Sequence, residues 1–172
     1  MTADAGAGGR RRDESLMAEY APALWRLTAS YASSSAERED LFQEICLALW
    51  TALPTFRGDC SDRTFVYRIA HNRALTFSAR ARSSTIDLQQ AREVADDRPG
   101  PDEQLAADQS RERMVAAIRA LSVGLRQAIT LRLEGLTHAE IAAVLGVSEN
   151  VVSVRLHRAG TELRRRLQED RT

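Results

Sequence analysis

The stretch that most constrains this chain is LTHAEIAAVLGVSENVVSVRL, residues 136–156. Thr137 and Glu140 stand at capping-box spacing, so each side chain can satisfy a free amide at a helix start. Ile141, Ala142 and Leu145 follow on one apolar face, and Ala142 is small enough for a second helix to cross close by. Gly146 suits the left-handed residue that ends a helix. Val147 fills the corner, Ser148 can cap the next helix, and Val152 and Leu156, four apart, turn inward. Asn150, Ser153, Val154, Arg155, His157 and Arg158 are left on the outer and flanking faces. Amide, hydroxyl and guanidinium groups in that arrangement can read base edges and hold phosphates. A plain helical hairpin would not need cap, small residue, glycine and corner in register; a helix-turn-helix does.

The rest of the chain is predicted all-α. Aromatic residues are few, only four prolines occur in 172 residues, and β-branched runs are scarce. That length accommodates one domain or two small ones. The net charge of zero looks wrong for a nucleic-acid partner until its distribution is read. Residues 57–82 carry about +4, residues 83–112 about −5 and residues 113–172 about +4. Two basic blocks flank an acidic one, and the local field governs nucleic-acid binding. Every cation other than His is Arg, which suits bidentate phosphate and guanine contacts.

Several function classes are disfavoured. No apolar run approaches the roughly 20 residues of a membrane span, so no membrane insertion is expected. The arginines at 10–12 are followed by DESLMAEY rather than by the apolar core of a secretion signal, and a cytoplasmic protein is expected. Cys46 lies in the apolar run LFQEICLALW and is predicted to be core; Cys60 falls in a loop, and no CxxC pair points to zinc or redox chemistry. His71, His138 and His157 lie on different predicted helices without metal-ligand spacing, and are read as surface or DNA-facing. No cofactor, metal or enzymatic activity is expected.

Residues 1–14 are predicted to be a disordered Gly, Ala and Arg tail. A first helix follows, with Leu16, Tyr20, Leu24, Leu27 and Tyr31 on one stripe. The serines at 33–35 break it and offer a cap. A second helix over 36–53 places Leu41, Ile45 and Leu49 in one row and Phe42 and Cys46 in another, and Pro54 ends it. A polar loop holds Arg57, Gly58 and Asp59. A third helix over 62–81 turns Phe65, Val66, Ile69, Ala70 and Phe77 inward. Between 83 and 102 the periodicity fails, and Ser, Asp, Gln, Pro99 and Pro101 read as a linker. Helical spacing returns at 103–168, with Leu105, Met114, Ile118 and Leu121, then Leu125 and Ile129, then the helix-turn-helix.

The N-terminal half has its own chemistry. EREDLFQEICLALW puts Asp40, Gln43, Glu44 and, one turn on, Leu47 on neighbouring positions of one helix; a solvated acidic face is the plainer reading. FRGDCSDRTFVYRIAHNRA joins a basic loop to a helix bearing Arg68, Asn72 and Arg73, with Phe65 and Tyr67 near its start. Rings and arginines at a loop–helix junction suit single-stranded DNA, where bases stack and phosphates meet Arg.

These motifs resemble those of bacterial RNA polymerase sigma factors of the extracytoplasmic-function group, the minimal two-domain members of the sigma-70 family. Asp40-Leu41-Phe42-Gln43-Glu44 with Trp50 is similar to region 2.2. Phe56-Arg57-Gly58-Asp59, then Thr64-Phe65-Val66-Tyr67-Arg68-Ile69-Ala70 and Asn72, is similar to regions 2.3 and 2.4. Residues 136–159, ending Arg155-Leu156-His157-Arg158-Ala159, are similar to region 4. The resemblance implies two small helical domains, a three- to four-helix bundle of region 2 at 15–82 and a region 4 helix-turn-helix at 103–168, joined by a flexible linker at 83–102. It further implies that Asp40, Gln43, Glu44 and Leu47 dock on the clamp helices of the polymerase β′ subunit, and that region 4 rests on the β flap. Phe56, Arg57, Gly58, Asp59 and Arg63 would capture a base flipped from the −10 element, and Asn72, with Arg68 and Arg73 on the same helix, would help read that element. Asn150, Ser153, Val154, Arg155, His157 and Arg158 would meet the −35 element. Glu93, Asp96 and Asp97 in the linker would mimic RNA phosphates, and an anti-sigma factor is the implied restraining partner. Phe65 stands where the family usually has Trp, Ser122 where it has Pro, and Ser153 and Val154 where a basic residue and Ser are common. Two other readings stay open: a stand-alone regulator, against which the absence of a βαβ pattern counts, and an adaptor that binds polymerase without reading promoters.

Overall fold

The structure, a computed structural model, describes residues 4–85 and 102–169, with side chains over 11–81 and 108–169. The linker acids Glu93, Asp96 and Asp97, both linker prolines and the Leu105 side chain lie outside the described residues. Seven helices and no strand occur within them: α1 (Asp4–Thr28), α2 (Ser35–Ala52), α3 (Asp62–Thr85), α4 (Asp102–Arg119), α5 (Val123–Leu133), α6 (His138–Leu145) and α7 (Glu149–Glu169), with a 3₁₀ turn at Leu53–Thr55. The chain divides into two compact units, residues 1–90 and 91–172.

In the first unit α2 packs on α1 and α3. The predicted first stripe is largely buried through Leu16, Leu24 and Leu27 of α1 and Tyr31 in the turn that follows. The helix starts earlier than the sequence pattern predicts. Its backbone is helical from Asp4, across most of the segment read as a disordered tail, although the first described buried side chain is Leu16. Arg12 donates to Asp62 at 2.9 Å, a contact between helices that periodicity cannot reveal. At the other end Arg38 closes the helix: its guanidinium lies 4.1 Å from the centre of the Trp25 ring and donates to the Trp25 carbonyl at 2.9 Å. Cation–π attraction and a satisfied terminal carbonyl thus come from one side chain.

Ser34 caps α2, its hydroxyl accepting from the Glu37 amide at 3.2 Å, while the Glu37 carboxylate accepts from the Ser33 amide at 2.7 Å. Leu41, Ile45 and Leu49 are fully buried as one row, and Phe42 meets Trp25 edge-on at 5.3 Å. Pro54 lies in the 3₁₀ turn that follows α2. Cys46 is half-buried rather than core, and burial pushes its thiol pKa up.

Two inward residues of α3 depart from expectation. Tyr67 is buried against Tyr20, edge-on at 6.0 Å. His71, read from sequence as a surface or DNA-facing histidine, is 1% exposed; its Nδ1 shares a 3.0 Å hydrogen bond with the Tyr31 hydroxyl. Nε2 has no hydrogen-bond partner among the described residues. Burial lowers the His71 pKa to about 3, so the ring is neutral at pH 7. His71 lies one position after Ala70 and four after Tyr67, on the wall that packs inward, where a polar ring gives no hydropathy signal.

In the second unit Ala117 and Ile118 of α4 and Leu121, just past its end, form a core with Ala159 and Leu163 of α7, against which Leu125, Ile129 and Leu167 pack. Met114, placed on the apolar stripe by spacing, is 39% exposed. Arg126 donates to the carbonyls of Arg119 and Leu121, covering the end of α4. The helix-turn-helix forms as its sequence dictates. The Thr137 hydroxyl accepts from the Glu140 amide at 3.2 Å and the Glu140 carboxylate accepts from the Thr137 amide at 2.7 Å. Gly146 stands at φ 66°, ψ 36°, a region that a side chain disfavours by roughly 1–2 kcal/mol. Ile141, Ala142, Val144 and Val152 are buried, whereas Leu145 and Leu156 are half-buried; Val144, not Leu145, completes the inner face of α6.

Candidate nucleic-acid interface

The outer face of α7 carries the residues the sequence singles out. Asn150, Ser153, Val154, His157 and Arg158 are all exposed, and Arg155 is half-buried. Ser148 starts the helix, its hydroxyl accepting from the Val151 amide at 3.4 Å. Val152 and Ala159, both fully buried, anchor the opposite side, which fixes the rotation of the helix and leaves the polar row outward. Val151, 38% exposed, shares this face and was missed by sequence reasoning. Its position three before Val154 is the signal, since i and i+3 residues are neighbours on a helix. Two exposed valines among an amide, a hydroxyl and cations form a surface that can meet both thymine methyls and polar base edges.

The first unit has two further surfaces, built by neighbouring helices. On α2, Asp40, Gln43 and Leu47 are exposed and Glu44 is half-buried. Leu47 is 67% exposed, and Trp50, one turn on, 47% exposed. Trp50 belongs with this set, and following the stripe by three residues from Leu47 finds it. Glu44 accepts from Arg80 at 2.8 Å and lies 3.9 Å from Arg73. This carboxylate therefore ties α2 to α3 beside a groove of about 460 Å³ lined in part by Leu47, Ala48, Thr51, Arg73 and Arg80. Arg80 has no separate signal in the sequence; the interhelix packing places it.

The loop before α3 brings together most of the second predicted set. Arg57, Gly58 and Asp59 are exposed, with Gly58 at φ 79°. Phe56 stacks on Phe65, ring centres 4.1 Å apart and planes 26° from parallel. Ser61 ends the loop and starts the helix, its hydroxyl accepting from the Thr64 amide at 3.1 Å. Arg68 and Asn72 are exposed on α3, while Arg63 and Arg73 are half-buried. Tyr67 does not belong to this surface: buried against Tyr20, it cannot stack on a base. The ring pair available at the junction is Phe56 and Phe65, each half-buried.

Residues 16–84 match the family described as Sigma-70 region 2, and residues 111–163 match Sigma-70, region 4. The chain belongs to the sigma-70 family. Among its relatives, the RNA polymerase sigma factor CnrH of Cupriavidus metallidurans is 33% identical over 95% of this chain and 90% of that protein. The ECF RNA polymerase sigma-E factor of Escherichia coli is 30% identical over 88% of this chain and 84% of that one. The solved structure of CnrH in complex with the cytosolic domain of CnrY superposes with a TM-score of 0.71 at 26% identity, covering 98% and 95% of the two chains. The sigma factor RpoE from Bartonella quintana, solved with the anti-sigma factor NepR, shares the fold at TM-score 0.71 and 20% identity, over 90% of this chain and 96% of that one. This chain is thus a sigma factor of the extracytoplasmic-function group, a DNA-binding factor of transcription initiation. Among the described residues of the sigma factor no helix is long and apolar enough to cross a membrane, and no three His, Cys, Asp or Glu side chains converge as a metal site.

Proposed function

We propose that this sigma factor directs promoter-specific initiation by binding core polymerase, recognising −35 and −10 elements and helping to melt the −10 region. The observation that carries the reading is the outward row of α7, where Asn150, Ser153, Val154, His157 and Arg158 are all exposed on a helix whose opposite side is locked by Val152 and Ala159. In this assignment residues 103–168 hold the −35 element, residues 15–82 hold polymerase and the −10 element, and residues 83–102 link them. Asp40, Gln43, Glu44 and Leu47, extended by Trp50, form the surface for the β′ clamp helices, and the second unit rests on the β flap.

Melting by such a factor requires no catalysis. Extruding a base costs a few kcal/mol. Stacking a base on a ring returns about 1–3 kcal/mol, and the Phe56–Phe65 pair is the ring surface at the loop. Arg57, Arg63, Arg68 and Arg73 supply phosphate contacts, with Asn72 and Asp59 available to base edges. Polymerase contacts supply the remaining stabilisation, so the isolated chain binds promoters poorly. A restraining anti-sigma partner is part of the proposal, supported by the CnrH and RpoE complexes with CnrY and NepR. The test is run-off transcription with core polymerase on fragmented DNA from the same genome, with and without the chain. Discrete new transcripts sharing upstream −35 and −10 sequences are expected. Tight polymerase binding without transcripts would instead establish an adaptor, and no polymerase binding a stand-alone regulator.

A further inference from the structure

Gly124 is the second residue of α5 (Val123–Leu133). Its backbone is not among those at positive φ, which are Gly58, Gly135 and Gly146, so no left-handed conformation demands a glycine there. Glycine is a poorer helix former than alanine, and the N-cap Ser122 makes no side-chain hydrogen bond that would reinforce this helix start. What the position has instead is a close neighbour. A Cβ on Gly124 would lie 3.3 Å from Cζ, 3.4 Å from Nε and 3.7 Å from Nη1 of Arg155. Three guanidinium atoms at nearly equal distance mean that the group lies with its face toward the glycine, not with its tip.

We propose that Gly124 is a positioning residue for Arg155: the absent side chain makes a shelf on the first turn of α5 that holds the guanidinium face-on and fixes the direction of its donors toward DNA. The inference rests on the assignment of Arg155 to the −35 element. A guanidinium is planar with its donors at the edge, so packing one face against backbone leaves the edge available for phosphate or guanine. Holding the group in advance also lowers the side-chain ordering that binding requires. Arg158, one turn on, is exposed rather than half-buried like Arg155, and the two arginines therefore differ in how sharply they are aimed.

The test uses holoenzyme reconstituted from core polymerase and the full chain, with a duplex carrying the −35 sequence shared by the run-off transcripts. Arg155→Ala is expected to weaken binding on the order of tenfold, the effect of losing one good contact. Gly124→Leu, which displaces the guanidinium, should weaken it as much, and Gly124→Ala by roughly threefold, intermediate because the guanidinium needs to give way by only a few tenths of an ångström. The double variant Gly124→Leu/Arg155→Ala should bind no worse than Arg155→Ala alone. Thermal melting of the free chain supplies the second readout. Gly124→Ala should hold or raise the melting temperature, since alanine favours the helix, while it weakens binding; those opposite signs separate positioning from a structural role. The same pair of measurements decides the matter if Gly124→Leu fails to fold. Binding unchanged in Gly124→Ala and Gly124→Leu, with Arg155→Ala weakened, would overturn the shelf. A further loss in the double variant would also overturn it, by showing that Gly124 acts independently of Arg155. No effect of Arg155→Ala would remove the −35 assignment itself, a result distinguishable from the other two.

Discussion

The cationic surfaces of the two units are held in different ways. On α3, Arg73 and Arg80 face the Glu44 carboxylate across from α2, so part of the positive field of that helix is neutralised within the fold. On α7, Arg155 lies against the backbone of α5 at Gly124, and Arg158 is exposed; no carboxylate pairs with either among the described residues. Steric support orients a cation while leaving its charge available, whereas an ion pair orients it and screens it. The first arrangement is what the proposed −35 contact would require of α7. The second keeps α2 and α3 in fixed mutual position, which is what the proposed melting role would require of that surface.

The largest expected effect separates the units outright. Ile141 is fully buried in α6, and Ile141→Ala should cost about 2–5 kcal/mol through lost transfer energy and the cavity left behind. Circular-dichroism melting should then show the C-terminal unit unfolding early while the N-terminal unit keeps its own transition. A single transition shifted as a whole would show that the two stand or fall together.

Acid should act on the other unit. His71 has a folded pKa of about 3, below the ordinary value near 6.5, so the unfolded chain binds the extra proton between those pH values. The stability that the neutral ring contributes is complete above about pH 6.5 and falls by about 1.4 kcal/mol per pH unit as pH drops toward 3, or about 2 kcal/mol by pH 5. Urea titrations from pH 7 to 5 should show that slope in the native chain and a flatter one in His71→Gln. Equal slopes would place the acid sensitivity elsewhere.

Smaller effects probe the local devices. Thr137→Ala removes half of the capping box and should destabilise the helix-turn-helix by about 1 kcal/mol, read as a shift of the C-terminal transition alone. Glu44→Gln removes the carboxylate shared by Arg73 and Arg80. Because the pair is partly exposed, stability should change by less than about 1 kcal/mol. The freed arginines should raise affinity for a single-stranded oligonucleotide by no more than about fivefold, measured by anisotropy. Unchanged or weaker binding would show that the ion pair aims those arginines rather than muting them.

Legibility differed between the units for the same physical reason. The helix-turn-helix is specified by neighbours in sequence: Thr137 with Glu140, Gly146 after Leu145, Ser148 before α7. Each could be read from spacing, and each is in place. Leu41, Ile45 and Leu49 were equally legible, because burial at i, i+4 and i+8 is a periodic signal. What spacing could not yield were contacts between distant positions. Arg12 with Asp62, Arg38 with Trp25 and Glu44 with Arg80 each join residues on different helices, and Tyr31 with His71 joins the turn after α1 to α3. The burial of His71 beside Tyr31 and of Tyr67 against Tyr20 belongs to the same class of contact. The exposure of the α7 row could be read from the sequence except at Val151, whose apolar side chain reads as core until the rotation of the helix is known. The shelf at Gly124 was not legible at all, since it stands 31 positions before Arg155.

The placement of the two tryptophans has a spectroscopic consequence. Trp25, covered by Arg38, and Trp50, exposed on α2, are the only ones in the chain, and both belong to the first unit. Intrinsic emission therefore reports on that unit alone and is blind to the helix-turn-helix. Within it the two indoles report different events: a shielded fluorophore whose red shift marks unfolding, and a solvent-facing one whose blue shift would mark the arrival of a partner on α2. One optical signal, without any label, can thus follow docking and folding of one half while the other half is perturbed at will.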